Sequence, residues 1–533
     1  MPRKDNYQKE IVVSATNSEF GAVRAFVEEC FTQEKLSDIR TSEYILLVEE
    51  LFVRAVEEID DELIAITITV KDKFDELYVV LSYDGPRFKA AFRDNDELDL
   101  GSVILQKYEE KIGVRFRRGH NEIKLLVKRS SDGMFKSNMI AFALAVVIGS
   151  VLYYLTPGSM QDAVASVLQK FQTAFGTALL MISAPVTFFS FVTNITNTVV
   201  LADKRVKINN LIRSMVISSC IAIGLGLVYM LLIGEIGLIN LQTRLIVNSE
   251  EADVLKQVET LIPTDIFSAF TAVSPFPLII LAIMTATAIS TMNAHFEEAK
   301  MLNDTINRVF SSILAVIYFF LPFAVFVSVI EIILWKGILT IAMFLVVLLV
   351  CFFGMILMFL FNALRLKLYK CNVTNFFKRC IPAFRENFFI NSTIDAIPYN
   401  TRFCNKILGI KMKYADSAVP IVSQLNLDGN CFLLTFISLV VAEASSVDFY
   451  LETILGLMIV IVGLSLGAPN QPGSLIIGLV VSLSFLGDAS AMMGILILIE
   501  AFVGRFLTLI NTLGNITTVY IEALDAGEMK KYK

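Results

Sequence analysis

The sequence predicts a multidomain protein in which a small α/β domain precedes an α-helical, polytopic membrane domain. Of the 533 residues, 55% are hydrophobic, more than the roughly 45–50% typical of soluble proteins. Residues 1–130 contain 20 Lys or Arg and 26 Asp or Glu, whereas the much longer segment 131–533 contains only 25 of each. This change in charge density predicts a cytosolic domain at 1–130, a linker at 131–138, a membrane domain at 139–524 and a cytosolic tail at 525–533.

Composition also narrows the possible functions. The seven cysteines are odd in number, scattered and without zinc-ligand spacing, which argues against a disulfide framework and against a zinc site. The net charge of −6 and the acidic first domain argue against nucleic acid as a partner. Residues 1–10 are polar and charged, unlike a signal peptide. We therefore expect a membrane protein without a cofactor.

The first domain is predicted to combine helices and strands. Residues 42–59 place Ile45, Val48 and Phe52 near helical spacing, which indicates an amphipathic helix. Runs of β-branched or alternating apolar residues predict strands at 11–14, 63–70 and 77–83, and a closing hairpin formed by 114–116 and 123–127 around the turn 118–121.

Two short motifs of this domain resemble the GHKL ATPase fold in its anti-sigma-factor kinase form. They are Glu49-Glu50-Leu51-Phe52-Val53-Arg54 and Asp84-Gly85-Pro86-Arg87-Phe88. The resemblance covers about residues 9–129 and implies nucleotide contacts at Glu50, Asp84 and Gly85. Arg54 stands where the fold has a metal-binding Asn, and only Gly101 remains of its Gly-rich lid. Close approach of backbone to phosphates needs such glycines. We favour a non-catalytic regulatory module, with retained nucleotide binding as the alternative.

Apolar runs predict six membrane spans before the chain becomes more polar, each long enough or nearly long enough for the about 20 residues that a helical span needs. They lie at 139–155, within 171–201, and at 211–234, 277–292, 310–334 and 337–361. Basic residues follow the second and sixth spans: Lys204, Arg205, Lys207 and Arg213, then Arg365, Lys367, Lys370, Lys378 and Arg379. Such residues mark cytoplasmic loops. Both termini are therefore predicted inside, and the acidic loop 235–262 outside.

Two later segments are predicted to enter the membrane without crossing it. Residues 372–410 are too polar to cross singly and consist of two arms around a tip at 391–398. Residues 450–486 are two apolar arms around the Gly- and Pro-rich cluster 467–474. Non-helical backbone at membrane depth is tolerated where it is buried or lines a cavity. We therefore predict two re-entrant hairpins at one site; the alternative is ordinary surface loops.

Between these hairpins, the apolar run 416–444 contains the stretch Gln424-Leu425-Asn426-Leu427-Asp428-Gly429-Asn430. A carboxylate at bilayer depth costs roughly 2.5–3.5 kcal/mol on insertion scales, and Gly429 favours a break in the helix. Membrane transporters build cation sites from unwound backbone beside a buried polar group. We predict that Asp428 binds a coupling cation, sodium or a proton; the alternative is a short surface loop between two half-helices.

The chain resembles the sodium:dicarboxylate symporter (glutamate transporter) family over about residues 139–524. Residues 426–430 stand at the family's Asn-Met-Asp-Gly-Thr motif, 392–398 at its serine-rich first hairpin tip, and 472–473 at its second hairpin tip. Residues 499–515 align without a gap to its last helix. The resemblance implies eight spans, two re-entrant hairpins, a homotrimer and elevator motion of a transport domain against a scaffold.

The resemblance also implies ligand positions. Cations would bind at Asn426, Asp428, Ser218 and Ser219, with a second site near Asn511 and Asn515. Substrate contacts would come from the hairpin tips and the last helix, at Ser392, Thr393, Asp395, Pro472, Gly473, Ser474, Thr508 and Asn511. No metal beyond the coupling cation is expected.

Several positions depart from the family pattern. Asn515 replaces a sodium-ligating Asp, Leu507 replaces the Arg that binds a substrate's side-chain carboxylate, and Gly504 replaces the Asp that meets an α-amino group. Asn391 replaces a hairpin Arg. Arg505 cannot substitute for the Arg that Leu507 replaces, because two residues along a helix turn a side chain by about 200°. We therefore predict a compact substrate with one carboxylate that is neutral elsewhere; the alternative is a different coordination altogether.

Two functional hypotheses remain open at this point. One is a cation-coupled symporter of a small carboxylate-bearing solute, regulated by the cytosolic domain. The other is a transporter-derived receptor that senses a ligand and signals to that domain. The retained Asn426, Asp428 and hairpin tips favour transport, whereas Gly504, Leu507 and Asn515 favour a sensor. Either protein would be a non-enzymatic, multi-pass component of the inner or plasma membrane, and residues 1–130 could bind a cytosolic protein.

Overall fold

The computed structural model divides into two compact units, residues 1–133 and 134–533. It describes residues 8–34, 36, 38–59, 64–73, 76–88, 105, 108, 111–128, 131–201, 206–235, 265–271, 275–444, 451–467, 469, 472–486 and 493–529. The predicted α/β first part and helical second part are both confirmed. Nearly all of the predicted acidic loop, Gly101, Lys204, Arg205 and the last four residues of the tail lie outside the described residues.

The first unit is an antiparallel sheet, and two of the helices among its described residues pack against it. Its strands are β1 (Gln8–Ser14), β2 (Ala65–Lys73), β3 (Glu76–Asp84), β4 (Ile112–Arg117) and β5 (His120–Lys128), in the order β1-β2-β3-β5-β4. The helices are α1 (Phe20–Gln33), which the sequence did not predict, and α2 (Asp38–Glu58). Alternate residues of β2, including Ile66 and Ile68, share one apolar core with Val27 of α1 and Leu51 of α2.

The predicted closing hairpin is present, but its turn is tighter than predicted. Only Arg118 and Gly119 form the turn, with φ values of 53° and 82°, and Arg117 pairs directly with His120. Two successive left-handed residues are the type I′ turn, whose twist matches that of the flanking strands. Strand β5 therefore begins inside the segment that was predicted as the turn.

The second unit is helical. Its elements are α3 (Ser131–Leu155), α4 (Gly158–Val200), α5 (Ile208–Glu235), α6 (Ser268–Thr271), α7 (Pro275–Ser290), α8 (Phe296–Phe319), α9 (Leu321–Lys336), α10 (Leu339–Leu368), α11 (Val373–Ile390), α12 (Ile397–Lys406), α13 (Met412–Leu425), α14 (Asp428–Ala444), α15 (Leu451–Gly467), α16 (Ser474–Leu486) and α17 (Met493–Asp525). The segment predicted as a linker, 131–138, is the first part of α3. Among the described residues, six helical segments are long and apolar enough to cross a membrane, or seven if α7 and α8 form one bent span.

The fifth span, predicted at 310–334, does not form as one helix. Helix α8 ends at Phe319 and α9 begins at Leu321, with Pro322 in its first turn. Proline has no backbone N–H, so it suits the start of a helix and ends the preceding one. The apolar run therefore extends across two helices, and the turn between them could be inferred only from this proline.

The helices α14 and α17 are buried along most of their lengths. Phe432, Leu433 and Phe436 of α14 pack with Leu496 and Ile497 of α17 in the largest apolar cluster of the unit. Helix α14 also carries buried Asp and Asn side chains, and α17 carries buried Asn and Glu side chains. Because buried polar groups need partners, the contacts of these side chains define the candidate site.

Candidate functional site

The chain is broken between α13 and α14. Helix α13 ends at Leu425, Asn426 is extended with φ −119° and ψ 103°, and α14 begins at Asp428. The prediction that Gly429 produces the break is therefore wrong, because Gly429 lies in the first turn of α14. Glycine is needed there for close packing, since an added Cβ would lie 2.8 Å from Oδ1 of Asn511.

The start of α14 is held by Asn511 of α17. Oδ1 of Asn511 accepts hydrogen bonds from the backbone N–H groups of Gly429 at 2.9 Å and Asn430 at 3.3 Å. Its Nδ2 donates to Oδ1 of Asn430 at 2.8 Å. The first N–H groups of a helix have no partner within the helix. Oδ1 of Asn511 is such a partner, and it thereby joins the start of α14 to α17.

Three side chains surround the fully buried carboxylate of Asp428 in this region. Oγ of Ser218 lies 2.6 Å from each carboxylate oxygen of Asp428, and Oγ of Ser219 lies 3.4 Å from Oδ1. Nδ2 of Asn426 donates to Oδ2 of Asp428 at 3.3 Å. The structure thus brings together all four residues predicted for the first cation site. Their carboxylate, hydroxyl and amide oxygens are ligands that hard cations favour.

A guanidinium from α10 also approaches this carboxylate. Nη1 of Arg365 lies 3.9 Å from Oδ2 of Asp428. Nη1 also donates to Oδ1 of Asn362 at 3.3 Å, and Nη2 donates to Oγ1 of Thr518 at 2.9 Å. The sequence identified Arg365 only as one of the basic residues after the sixth span, because nothing in its local sequence indicates the distant Asp428.

The second predicted cation site centres on Asn515. Its amide end lies 3.0 Å from Nδ2 of Asn426, and 2.8 Å and 3.1 Å from the backbone carbonyl oxygens of Asn426 and Asn511. With the amide oxygen at this end, three oxygens face one another, an arrangement that a cation would satisfy. With the nitrogen there, the amide donates to both carbonyls, which an ionised aspartate cannot do, although the nitrogen then faces Nδ2 of Asn426. Asn515 can therefore satisfy the two carbonyls without an ion.

A small cavity with about 10 Å³ of free space, roughly the room that one water molecule needs, lies next to the start of α14. Its walls come from both hairpin tips, α14 and α17. Five of the predicted substrate contacts line it, namely Pro472, Gly473, Ser474, Thr508 and Asn511. Three of the departures from the family pattern, Leu507, Gly504 and Asn391, also line the cavity. The hairpin tips therefore meet α17 where the sequence predicts substrate binding.

The other predicted substrate contacts lie in the first hairpin tip and do not line the cavity. Oγ of Ser392 accepts from the N–H of Asp395 at 3.1 Å, and Oγ1 of Thr393 donates to the carbonyl of Ser423 at 3.2 Å. The first hydroxyl stabilises the turn itself, and the second joins the turn to α13. Asn391 reaches the cavity instead: it is left-handed, with φ 54°, and its Oδ1 accepts from Oγ1 of Thr508 at 3.3 Å.

Glu500 of α17 holds the second hairpin tip. Its Oε1 accepts from the N–H of Gly473 at 3.1 Å and the hydroxyl of Tyr318 at 2.9 Å, and its Oε2 accepts from the N–H of Ile476 at 3.1 Å. The carboxylate lies at the N-terminus of α16, where the helix dipole favours negative charge. Gly504 leaves room for it, since an added Cβ there would lie 3.0 Å from Oε1. No role for Glu500 was predicted, although an acidic residue in an apolar helix is a usable signal.

Asn430, like Glu500, lines the cavity but was not among the predicted site residues. Its Nδ2 is buried and has no hydrogen-bond partner among the described residues. A buried donor without a partner costs free energy, so a ligand oxygen is the natural complement to it. Arg505, by contrast, does not line the cavity. Its guanidinium carbon lies 5.4 Å and 5.9 Å from the ring centroids of Phe135 and Phe388.

The three predicted nucleotide contacts of the first unit already have partners within that unit. Oε1 of Glu50 accepts from Nε of Arg54 at 2.7 Å. Oδ1 of Asp84 lies 2.6 Å from Nδ1 of His120, and the N–H of Gly85 donates to the carbonyl of Gly119 at 2.9 Å. A nucleotide would have to displace these interactions. One of them is the ion pair made by Arg54, which stands where the GHKL fold has a metal-binding Asn.

Comparison with known proteins gives a consistent result for the second unit. The sequence profile of the Sodium:dicarboxylate symporter family matches residues 134–523. Similar proteins include three named C4-dicarboxylate transport protein, from Anaeromyxobacter sp. (strain K) and Anaeromyxobacter dehalogenans strains 2CP-1 and 2CP-C. Each is 24% identical over 395 residues, which cover 71% of this chain and 88% of the relative. These matches give no support to the GHKL resemblance of the first unit.

Proposed function

Because the chain belongs to the sodium:dicarboxylate symporter family, we propose that it is a secondary active symporter of a small carboxylate-bearing solute, driven by a cation gradient. The family is one of membrane transporters for small-molecule solutes, as the sequence predicted. The observation that carries the proposal is the position of the cavity. Residues of both hairpin tips line it, and Asn511 in its wall bonds the start of α14 next to Asp428.

Coupling requires that the solute and the cation influence each other, and Asn511 provides a direct route. Its side chain lines the cavity and bonds the N–H groups of Gly429 and Asn430, next to Asp428. We propose that a cation, sodium or a proton, at Asp428 and Asn426 fixes the start of α14. Asn430 and Asn511 are then held in the geometry that binds the solute.

The lining of the cavity bears on the solute. The relatives' name points to a C4-dicarboxylate, which would bring two negative charges. Glu500 is the one ionisable side chain among the lining residues, and it is acidic. A buried carboxylate without a positive partner loses much of its hydration. We therefore propose a compact solute with one carboxylate, bound by Nδ2 of Asn430 and the hydroxyl of Thr508, and neutral elsewhere.

The hairpins and α17 are suited to move as one body in an elevator mechanism. Oγ1 of Thr512 donates to Oδ1 of Asn387 at 3.0 Å, and Nδ2 of Asn387 donates to Oδ1 of Asn400 at 2.8 Å, which ties both arms of the first hairpin to α17. Glu500 ties the second hairpin to the same helix. We propose a homotrimer in the inner or plasma membrane with both termini in the cytoplasm, and the first unit as a regulatory module that contacts a cytosolic protein.

Uptake by the purified chain in proteoliposomes tests this function. Radiolabelled succinate, L-aspartate and lactate would each be offered under an inward sodium gradient, an inward proton gradient and no gradient. We expect gradient-driven accumulation of the monocarboxylate, with succinate and aspartate requiring millimolar concentrations. Micromolar uptake of succinate or aspartate would contradict the proposed solute, and absence of any gradient-driven uptake would contradict the symporter.

A transporter-derived receptor is the second candidate, and Asn515 is the observation that favours it. An amide that satisfies the Asn426 and Asn511 carbonyls by itself reduces the need for an ion at this cluster. A receptor would bind the solute without transporting it. Saturable solute binding to the detergent-solubilised chain, combined with no uptake in the vesicles, would favour this alternative.

A further inference from the structure

We propose that Arg365 is a tethered counter-charge that competes with the coupling cation for Asp428 and thereby sets the cation affinity of the site. This inference deepens the proposed function and rests on it. It begins with the charge balance around Asp428. The carboxylate is fully buried, and the guanidinium of Arg365 lies 3.9 Å from its Oδ2. The oxygen ligands predicted for a cation thus already have a positive group beside them.

The guanidinium is held in place from other directions. Thr518 of α17 accepts from its Nη2 at 2.9 Å, and Asn362 accepts from its Nη1 at 3.3 Å. The ring of Phe361 lies 5.6 Å from the guanidinium carbon, within the range of a cation–π contact. Arg365 therefore neutralises Asp428 without a direct hydrogen bond to it, and it remains anchored if the carboxylate takes another partner.

The distance explains why the two positive groups exclude each other. A bound cation contacts its oxygen ligands directly, so at Oδ2 of Asp428 it would lie within a few ångströms of Nη1 of Arg365. Like charges at such a separation repel strongly in a weakly polar interior. Cation binding must therefore displace the guanidinium or take place despite the electrostatic repulsion from it. In either case the half-saturating cation concentration is higher than the Ser218, Ser219 and Asn426 oxygens alone would give.

Removal of the charge gives a measurable prediction. The full-length chain would be purified in detergent, and its thermal unfolding followed as sodium chloride replaces choline chloride at constant ionic strength. A ligand that binds only the folded state raises the unfolding temperature with its concentration. Arg365→Gln is expected to lower the half-saturating sodium concentration at least about tenfold. Lys367→Gln, an exposed position on the same helix, removes the same charge away from Asp428 and should leave this concentration unchanged.

Two further variants make the test specific. Asp428→Asn combined with Arg365→Gln should abolish the gained sodium effect, which places the effect at this carboxylate. Arg365→Lys keeps the charge but loses the fork that bonds Thr518, so it should lower the half-saturating concentration by less. This second single variant keeps the inference testable if Arg365→Gln does not fold.

The outcomes separate this inference from the proposed function. Sodium stabilisation of the unaltered chain that Arg365→Gln leaves unchanged would overturn the role of Arg365 and leave the symporter intact. No sodium effect on the unaltered chain but a clear effect on Arg365→Gln would support the tethered counter-charge and contradict sodium coupling in the natural protein. No sodium effect on any folded variant would overturn the role of Arg365 in sodium binding and would leave a proton as the coupling cation of the proposed symporter.

Discussion

The contact between Glu500 and the second hairpin makes a quantitative prediction about hairpin opening. The carboxylate accepts from the N–H groups of Gly473 and Ile476 and from the hydroxyl of Tyr318. Glu500→Gln keeps one acceptor oxygen and replaces the other with an NH₂ group. The amide can accept from Gly473 and Tyr318 through that oxygen, but its NH₂ group then faces the N–H of Ile476, donor against donor.

The magnitude follows from the two bonds that Glu500 makes to the tip, because the bond from Tyr318 does not involve the tip. Hydrogen bonds to charged groups contribute about 1.5–3 kcal/mol each, and neutral ones about 0.5–1.5 kcal/mol. Loss of the charged bond from Ile476 and weakening of the bond from Gly473 makes the closed tip less stable by roughly 2.5–4.5 kcal/mol. At 1.4 kcal/mol per factor of ten, the open population of the tip rises about 60- to 1,500-fold.

Amide hydrogen exchange of the full-length chain in detergent measures this opening. Exchange of the Gly473 and Ile476 amides should accelerate strongly in Glu500→Gln, because local opening controls their access to solvent. Ser482→Ala is the matched control, since this hydroxyl lies on the same helix but bonds Ser438 at 3.0 Å. It should leave exchange at the tip unchanged. Exchange in Glu500→Gln within threefold of the unaltered chain would refute the assignment of Glu500 as the residue that holds the tip.

Three further predictions concern the packing, the solute site and the first unit. Gly429→Ala should lower the free energy of unfolding by about 1–3 kcal/mol through overpacking against Asn511. Gly224→Ala, whose added Cβ meets no neighbour within 4 Å, should not lower it. Equal unfolding temperatures of the two variants would contradict this prediction. Asn430→Asp keeps the acceptor for Asn511 but replaces the free donor with a negative charge. The affinity for a carboxylate solute should therefore fall by more than the about 10- to 150-fold that the loss of one charged hydrogen bond causes, because the two carboxylates also repel; unchanged uptake kinetics would exclude Asn430 as a contact. The full-length chain should transfer no phosphate from labelled ATP, because Glu50 is held in an ion pair with Arg54. Micromolar ATP binding that Asp84→Asn abolishes would contradict the hypothesis that the first unit is a non-catalytic regulatory module.

The sequence was most informative where a feature is local. Apolar length predicted the long helices, and a polar stretch inside an apolar run located the break at Asn426. The attribution of that break to Gly429 was wrong, because a glycine in sequence does not reveal whether it serves conformation or close packing. Only the approach of Asn511 from α17 distinguishes the two. The division of the predicted fifth span at Phe320 was missed for a related reason. Hydropathy counts apolar residues and does not register where one helix ends and the next begins.

The contacts that matter most at the site join residues far apart in the chain. Arg365 lies near Asp428, and Glu500 holds Gly473, through pairs that no local motif encodes. Both residues could have been noted as charges in or beside apolar helices, where an ionisable group needs a partner. Which partner it finds depends on helix packing. The motifs located the residues of the site, whereas its charge balance required the structure.

The most direct test of the central claim is solute uptake into proteoliposomes by the unaltered chain and by Asp428→Asn, with an inward sodium or proton gradient and after dissipation of that gradient by an ionophore. We predict that the unaltered chain accumulates solute only while the gradient is maintained, and that Asp428→Asn, reconstituted to the same level, shows no gradient-driven accumulation. Equal gradient-dependent accumulation by both proteins would contradict a coupling site at Asp428.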